Sequence, residues 1–147
     1  MFSRSLFDLS KRIFLQRTMS SFESPYRSNI LENQVAIVTG GSSGIGKGAV
    51  DRFAEFGAKV VVADVNPPQD ALPEGATFQK CDVTKWDKIK QLFEKTRELH
   101  GKIDIVCANA GINDPENILK DDDLEPNWAV LDINLKGVLM STSESLT

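Results

Sequence analysis

The chain has 147 residues, of which 41% are hydrophobic and 26% are charged. This length is typical of a single domain, and the composition is that of a folded protein and not of a disordered or collagen-like one. The net charge of −4 argues against a general nucleic-acid binder, and no apolar run approaches the roughly 18 residues of a transmembrane helix.

The first 29 residues predict a basic leader ahead of the folded domain. Residues 1–22 carry four basic side chains and one acidic side chain, whereas the remainder carries 13 basic and 20 acidic ones. Apolar residues at spacings of four, three and four would share one helical face: Phe2, Leu6, Leu9 and Ile13. Such an amphipathic, basic start is typical of a mitochondrial presequence. The alternatives are a disordered tail, or translation from Met19 to give a cytoplasmic protein.

From residue 30 onward the sequence alternates between strands and helices. Short apolar runs predict buried strands at Gln34–Thr39, Lys59–Asp64, Ala76–Cys81 and Ile103–Ala108. Helical spacing of apolar residues predicts helices from Ile45 to Phe56, over Lys85–His100 and over Asn127–Met140, and a loop over Ile112–Pro126. This alternation predicts an α/β fold, a doubly wound parallel sheet of the Rossmann type with strand order 3-2-1-4 and without strands 5 and 6.

The pattern also predicts domain limits and helix faces. The α/β domain would span 30–140, followed by an atypical polar tail at 141–147. Gly57 would end the first helix, and Thr84 would cap the start of the second. The side chains predicted to form apolar helix faces are Ile45, Ala49, Phe53 and Phe56 in the first helix, Trp86, Ile89, Leu92, Phe93, Thr96 and Leu99 in the second, and Trp128, Leu131, Leu135 and Val138 in the third.

The residues able to bind metal or form a disulfide are few. Cys81 and Cys107 would lie roughly 14 Å apart across the predicted sheet, beyond the reach of a disulfide bond. We therefore predict that both are small core residues. His100 is the only histidine, and we interpret it as a polar residue near a helix end. The sequence predicts no metal site.

The turn after the first strand is rich in glycine and reads Thr39-Gly40-Gly41-Ser42-Ser43-Gly44-Ile45-Gly46. A dinucleotide pyrophosphate requires a sharp turn, a backbone approach without a Cβ and amide groups at a helix N-terminus. Gly40, Gly44 and Gly46 can supply these, and Ser42 and Ser43 add hydroxyl donors. A tight structural turn is the alternative interpretation.

Asp64 closes the second strand, 24 residues after Gly40. An acid in this region of a dinucleotide-binding fold accepts hydrogen bonds from the ribose hydroxyls. Its charge would repel a 2′-phosphate, and residues 41–43 contain no Arg or Lys to bind one. The sequence therefore favours NAD over NADP, although a solvated acid at a strand end would look the same.

Four motifs in this order closely resemble those of the classical short-chain dehydrogenase/reductase family. They are Thr39-Gly40-x-x-x-Gly44-x-Gly46, Asp82-Val83, Asn109-Ala110-Gly111 and Asn134, and the resemblance runs from about residue 32 to 140. The family usually has Asn where this chain has Ala108. The resemblance implies an NAD-dependent oxidoreductase that transfers a hydride between a secondary alcohol or ketone and nicotinamide. It also implies a small-molecule substrate and a homo-oligomer.

The same resemblance implies roles for individual residues. Asp82 would contact the adenine amino group, and Val83 would lie beside the ring. Asn109-Ala110-Gly111 would line the adenine ribose and brace the fourth strand, while Ile45 belongs to the cofactor-binding turn. Asn134 would hold a water in a proton relay. Without the family, Asp82 could be a helix-capping acid and Asn134 a solvated helix residue.

The resemblance further implies a catalytic Tyr-x-x-x-Lys motif and a serine after strand 5, and this sequence contains neither. Its one tyrosine, Tyr26, precedes the first strand and has Ile30 four residues later. Asn134 is the single member of the implied catalytic set that is present. The sequence therefore suggests a truncated enzyme. The alternative is a non-catalytic NAD-binding fragment or pseudoenzyme.

Overall fold

The structure, a computed structural model, describes residues 29–113 and 128–146. Its elements are β1 (Val35–Thr39), α1 (Gly44–Glu55), β2 (Lys59–Asp64), β3 (Ala76–Lys80), α2 (Trp86–His100) and β4 (Ile105–Ala108), followed by a last helix composed of α3 (Ala129–Leu131), a π-helical segment (Asp132–Gly137) and α4 (Val138–Ser145). The predictions for residues 1–28 and for most of the acidic loop lie outside the described residues. Within the described ranges, no helix is long and apolar enough to cross a membrane.

The four strands form one parallel sheet in the order β3-β2-β1-β4. Ile37 in β1 is in register with Val61 in β2 on one side and with Val106 in β4 on the other. This confirms the predicted doubly wound sheet. The chain leaves β1 toward β2 and returns to pair β4 on the opposite side, so a crevice opens at the carboxyl ends of β1 and β4.

Alternate strand residues form two separate cores because successive side chains point to opposite faces of the sheet. The core under α1 consists of Ala36, Val38, Val50, Ala58, Val60 and Val62. The core under α2 and the last helix consists of Ile37, Val61, Ala63, Cys81, Val83, Ile89, Leu92 and Phe93. Burial on both faces explains why the strands are continuous apolar runs.

Helix α1 packs on the sheet with part of the predicted face, because Ala49 and Phe53 contact the core under α1 but Ile45 does not. Ile45 is 87% exposed, whereas Gly46 and Val50 are the buried residues of this helix. A periodicity search ignores Gly46 because it has no side chain, yet the helix comes closest to its neighbours at this residue. The predicted end is correct: Gly57 follows the helix with a left-handed φ of +90°.

Helix α2 buries the middle of its predicted face but not the ends. Ile89 and Phe93 are fully buried, while Leu99, in the last turn, is 70% exposed. The predicted N-cap is also wrong. The capping position is Lys85, and the Thr84 hydroxyl donates to Asp82 at 2.7 Å instead.

The last helix presents its predicted apolar stripe to solvent. Three residues of the predicted stripe are exposed: Trp128, Leu131 and Leu135. Leu139, which lies on the same face, is exposed as well. The helix also continues to Ser145, past Met140, where the polar composition predicted an end. Ser141 and Glu144 are buried there because each has a partner: the Ser141 hydroxyl donates to Gly137, and Glu144 pairs with Arg97 at 3.8 Å.

Candidate functional site

A cavity of about 440 Å³ lies at the carboxyl edge of the sheet. It is lined by Gly40, Ser43, Gly44, Ile45, Gly46, Ala63, Asp64, Val65, Asn66, Cys81, Asp82, Val83, Asn109, Ala110, Gly111, Ile112 and Ile133. Every predicted site residue is among them except Ser42 and Asn134. Residues of three of the four sequence motifs therefore line one crevice, and the fourth motif, Asn134, hydrogen-bonds the backbone of the lining residue Ile112.

Two glycines of the turn are required by packing within the protein. A Cβ on Gly46 would lie 2.1 Å from the Gly40 carbonyl oxygen and 2.6 Å from Nδ2 of Asn109. A Cβ on Gly40, which has a φ of +65°, would lie 2.8 Å from Cα of Ala110. These positions let α1 and the loop after β4 approach the turn closely.

Gly44 differs from the other two because its missing Cβ faces open space. Its φ is +54°, and no atom lies within 4 Å of the position that a Cβ would take. Gly44 opens α1, and Ser43, at the capping position, makes no side-chain hydrogen bond to the helix. The first amides of α1 therefore have no acceptor from a side-chain cap, which suits an anion bound at this end.

Asp64 ties the glycine turn to the end of β2. Its Oδ2 accepts from the amide of Ser42 at 3.2 Å, and its Oδ1 accepts from the amide of Asn66 at 3.1 Å. The Ser42 hydroxyl donates to the Asn66 carbonyl at 2.7 Å. Ser42 thus braces the loop after β2. The sequence predicted that its hydroxyl would bind the pyrophosphate, but Ser42 does not line the cavity. Each Asp64 oxygen keeps a lone pair for a further donor.

Asp82 is fixed by a short turn after β3. Its Oδ1 accepts from both the hydroxyl and the amide of Thr84, at 2.7 and 2.9 Å. These two bonds hold the pKa of Asp82 below its ordinary value, and the bond from the hydroxyl has the larger effect. The carboxylate is therefore charged at neutral pH. Both bonds end on Oδ1, which leaves Oδ2 for another donor.

The neighbouring thiol, Cys81, is buried. It is a free cysteine, and burial raises its pKa to about 11. Cys107 is also free, and burial raises its pKa too. Because the thiolate is the nucleophilic form, these cysteines act as small packing residues, as predicted.

Asn109 and Thr39 join the ends of β4 and β1. The Asn109 side-chain amide donates to the carbonyls of Thr39 and Gly40, at 3.1 and 3.3 Å. In return, the Thr39 hydroxyl oxygen accepts from the amides of Asn109 and Ala110, at 3.0 and 3.1 Å. The bracing role of Asn109 is therefore visible as direct contacts to the glycine turn.

Asn134 lies in the π-helical segment and supports the loop after β4. Its Nδ2 donates to the Ile112 carbonyl and its Oδ1 accepts from the Ile112 amide, both at 2.9 Å. A Cβ on Gly111 would lie 3.2 Å from the same Oδ1. The side chain thus fixes the backbone of Ile112, which lines the cavity. A role in holding water stays a prediction.

Six lining residues were not predicted from the sequence: Ala63, Val65, Asn66, Cys81, Ile112 and Ile133. Most are apolar and carry no recognisable chemistry. Five of the six lie at or just after the carboxyl end of a strand, and this position in the sheet was the signal that could have identified them. No group of three His, Cys, Asp or Glu side chains in the described part of the chain could hold a metal ion.

Comparison with known proteins agrees with this geometry. Residues 34–147 match the family model described as short chain dehydrogenase. A short-chain dehydrogenase/reductase, ascJ, of Acremonium egyptiacum is 41% identical over 120 residues, which cover 77% of this chain and 40% of that protein.

Solved structures show the same likeness. Ligand-free aldohexose dehydrogenase of Thermoplasma acidophilum has a TM-score of 0.72 and 29% identity over 82% of this chain and 46% of its own. A 3-ketoacyl-(acyl-carrier-protein) reductase of Brucella melitensis, complexed with NADH, has a TM-score of 0.67 and 32% identity. The match covers 78% of this chain and 49% of the reductase. The chain spans less than half the length of each of these relatives.

Proposed function

Since this chain belongs to the short-chain dehydrogenase/reductase family, we propose that its cavity binds NAD and serves an oxidoreductase acting on a secondary alcohol or ketone. The observation that carries the proposal is the open face of Gly44 at the start of α1. The left-handed φ of Gly44 accounts for a glycine in a structural turn, but it does not account for the open space beside it. Gly44 lines the cavity, so an open backbone at this residue suits a pyrophosphate.

The remaining residues fit the other parts of NAD. The first amides of α1 bind the pyrophosphate, and Asp64 accepts from the adenine ribose hydroxyls. Asp82 accepts from the adenine amino group through Oδ2, and Val83 lies beside the ring. When bound, NAD supplies the nicotinamide carbon that exchanges a hydride with the substrate. Asn134 keeps the loop after β4 in place at the far wall.

Cofactor preference provides the direct test of Asp64. We expect the unmutated chain to bind NAD more tightly than NADP, because the carboxylate repels a 2′-phosphate. Asp64→Ala combined with Ser42→Arg should shift the NADP-to-NAD affinity ratio by about tenfold to a hundredfold, since a charged hydrogen bond to phosphate replaces the repulsion. Calorimetric titration with both dinucleotides measures the ratio.

Asp64→Asn is the matched control for that double variant. It removes the charge but keeps an oxygen that can accept from the loop amides, so it should lose NAD preference without gaining strong NADP binding. Equal affinity of the unmutated chain for the two dinucleotides would refute the role of Asp64.

These 147 residues by themselves are expected to give no turnover. They contain no Tyr-x-x-x-Lys, and hence lack the tyrosine hydroxyl that this family uses to take the alcohol proton while the hydride leaves. Positioned acid–base catalysis commonly contributes about 10²–10⁴-fold to a rate. NADH absorbance with a panel of secondary alcohols tests this. Turnover that is lost in Asn134→Ala would show that the proton acceptor has been misassigned.

The second candidate function is NAD binding without catalysis, as in a pseudoenzyme or fragment. The observation that favours it is a cavity lined by most of the predicted cofactor-binding residues in a sequence that contains no Tyr-x-x-x-Lys. The turnover experiment separates the two candidates when it is repeated with any longer transcript product: a longer product with Tyr-x-x-x-Lys that reduces NAD supports the oxidoreductase, and one that only binds NAD supports the pseudoenzyme.

The exposed stripe on the last helix supports a homo-oligomer. Four large apolar side chains face solvent on one side of the helix: Trp128, Leu131, Leu135 and Leu139. A contiguous apolar surface of this kind is typical of a contact with another protein surface. We propose that in the whole protein this face packs against a second subunit.

We also propose that the basic leader directs the protein to mitochondria. Residues 1–22 fused to a fluorescent reporter should bring the reporter into mitochondria, because the segment is amphipathic and basic. The matched control carries Arg4→Glu and Lys11→Glu, which keep the apolar residues and reverse the charge. A diffuse cytosolic signal from the unmutated fusion would instead favour translation from Met19.

A further inference from the structure

The last helix touches one wall of the cavity at a glycine. Gly137, at the end of the π-helical segment, is buried. A Cβ there would lie 2.9 Å from Cγ2 of Val83, 3.2 Å from Cβ of Val83 and 3.5 Å from its carbonyl oxygen. Val83 itself lines the cavity. The absence of a side chain on Gly137 therefore determines how far Val83 can lie from the cavity.

The helix is held on both sides of Gly137 and cannot easily move away. On the N-terminal side, Asn134 makes two hydrogen bonds of 2.9 Å to the backbone of Ile112. On the C-terminal side, the buried Ser141 hydroxyl donates to the Gly137 carbonyl at 2.9 Å. Ile133 and Met140 both pack against the core beneath α2. A side chain added at Gly137 would therefore press on Val83 and not displace the helix.

Val83 has one direction in which to yield. It is only 7% exposed and belongs to a core cluster that includes the fully buried Ile89 and Phe93. A close-packed core resists extra volume. The unfilled space next to Val83 is the cavity. A push from Gly137 would therefore move the valine methyl groups toward the cavity.

We propose that Gly137 is a positioning residue for adenine: by lacking a side chain, it lets Val83 withdraw far enough to admit the purine ring. This inference rests on the proposed function, in which Val83 lies beside the adenine. Gly137 does not contact the ligand and acts through Val83 alone. It makes the last helix a determinant of cofactor affinity as well as a cover for the sheet.

Adenosine 5′-monophosphate is the probe, because it contains the adenine half of NAD without the nicotinamide. In the full chain, Gly137→Ala should weaken its binding by about tenfold, since overpacking forces Val83 into the site. Gly48→Ala is the matched control, because it also adds a methyl group to a helix but meets no atom within 4 Å. Thermal unfolding of each variant shows whether the fold is retained.

Val83→Ala separates positioning from a general structural effect. If Gly137 acts through Val83, then adding Gly137→Ala to Val83→Ala should change affinity less than about twofold, because the methyl carbon at 2.9 Å is gone and the Cβ at 3.2 Å needs to give by only a few tenths of an ångström. If Gly137→Ala alone does not fold, the double variant should fold and bind as Val83→Ala does.

Three outcomes would overturn the inference. They are an unchanged affinity in folded Gly137→Ala, an equal loss with and without Val83, and a double variant that remains unfolded. Failure of the unmutated chain to bind either adenosine 5′-monophosphate or NAD would instead overturn the proposed function, and so the two failures can be told apart.

Discussion

Gly46→Ala is expected to lower the free energy of unfolding by about 3 kcal/mol, the upper range for overpacking a well-packed site. The new methyl carbon would lie 2.1 Å from the Gly40 carbonyl oxygen, which is backbone and cannot rotate away. It would also lie 2.6 Å from the Asn109 amide that holds the glycine turn. Urea unfolding followed by circular dichroism measures the loss.

Gly48→Ala is the control in the same helix. It is exposed, and a Cβ there meets nothing within 4 Å. The substitution should raise stability by about 0.5–1 kcal/mol, because alanine loses less conformational freedom than glycine in a helix. If the two variants were equally stable, the close approach of α1 to the turn would be refuted.

Gly44→Val is expected to weaken NAD binding by at least about 100-fold, because its side chain occupies the space assigned to the pyrophosphate and blocks charged hydrogen bonds to it. Unlike Gly46, Gly44 has no protein atom within 4 Å of its Cβ position, so the effect should appear mainly in binding. Calorimetric titration of NAD provides the measurement.

The left-handed backbone of Gly44 requires its own control, since valine is strained at a φ of +54°. Gly101→Val supplies it. Gly101 ends α2 with a φ of +80°, has open space around it and does not line the cavity. It should show a similar loss of stability, of about 1–2 kcal/mol, and leave NAD affinity within about twofold. A Gly44→Val variant that still binds NAD normally would contradict the proposed cradle.

The sheet was predictable because buried parallel strands are apolar on both faces. All four strands were found within two residues of their ends, from Val35 in β1 to Ala108 in β4. The helix faces were harder to predict. Ile45 and Trp128 fit a helical period but are exposed, because periodicity does not specify whether a neighbour is present to cover them.

The site was predictable where chemistry requires a residue type and unpredictable where packing decides. Gly40, Gly44 and Asp64 were identified because a turn, an anion and a ribose require them. Ser42 has the right chemistry, but its hydroxyl is used by Asn66, a contact that only the folded loop creates. No pattern in the sequence predicts the π-helical segment. Since Asn134 and Gly137 both lie in it, their contacts with Ile112 and Val83 could not be predicted either.

The long separation between β1 and its partner β4 has a consequence for synthesis of the protein. Thr39 and Asn109, which join these strands, are 70 residues apart. At translation rates of about 5–20 residues per second, the edge of β1 that pairs with β4 stays unpaired for roughly 4–14 s before β4 has been made. During that interval a β-branched segment is open to pairing with other nascent chains. The cavity is thus completed late, and chaperones that shield β1 should affect yield more than chaperones that act on the released chain.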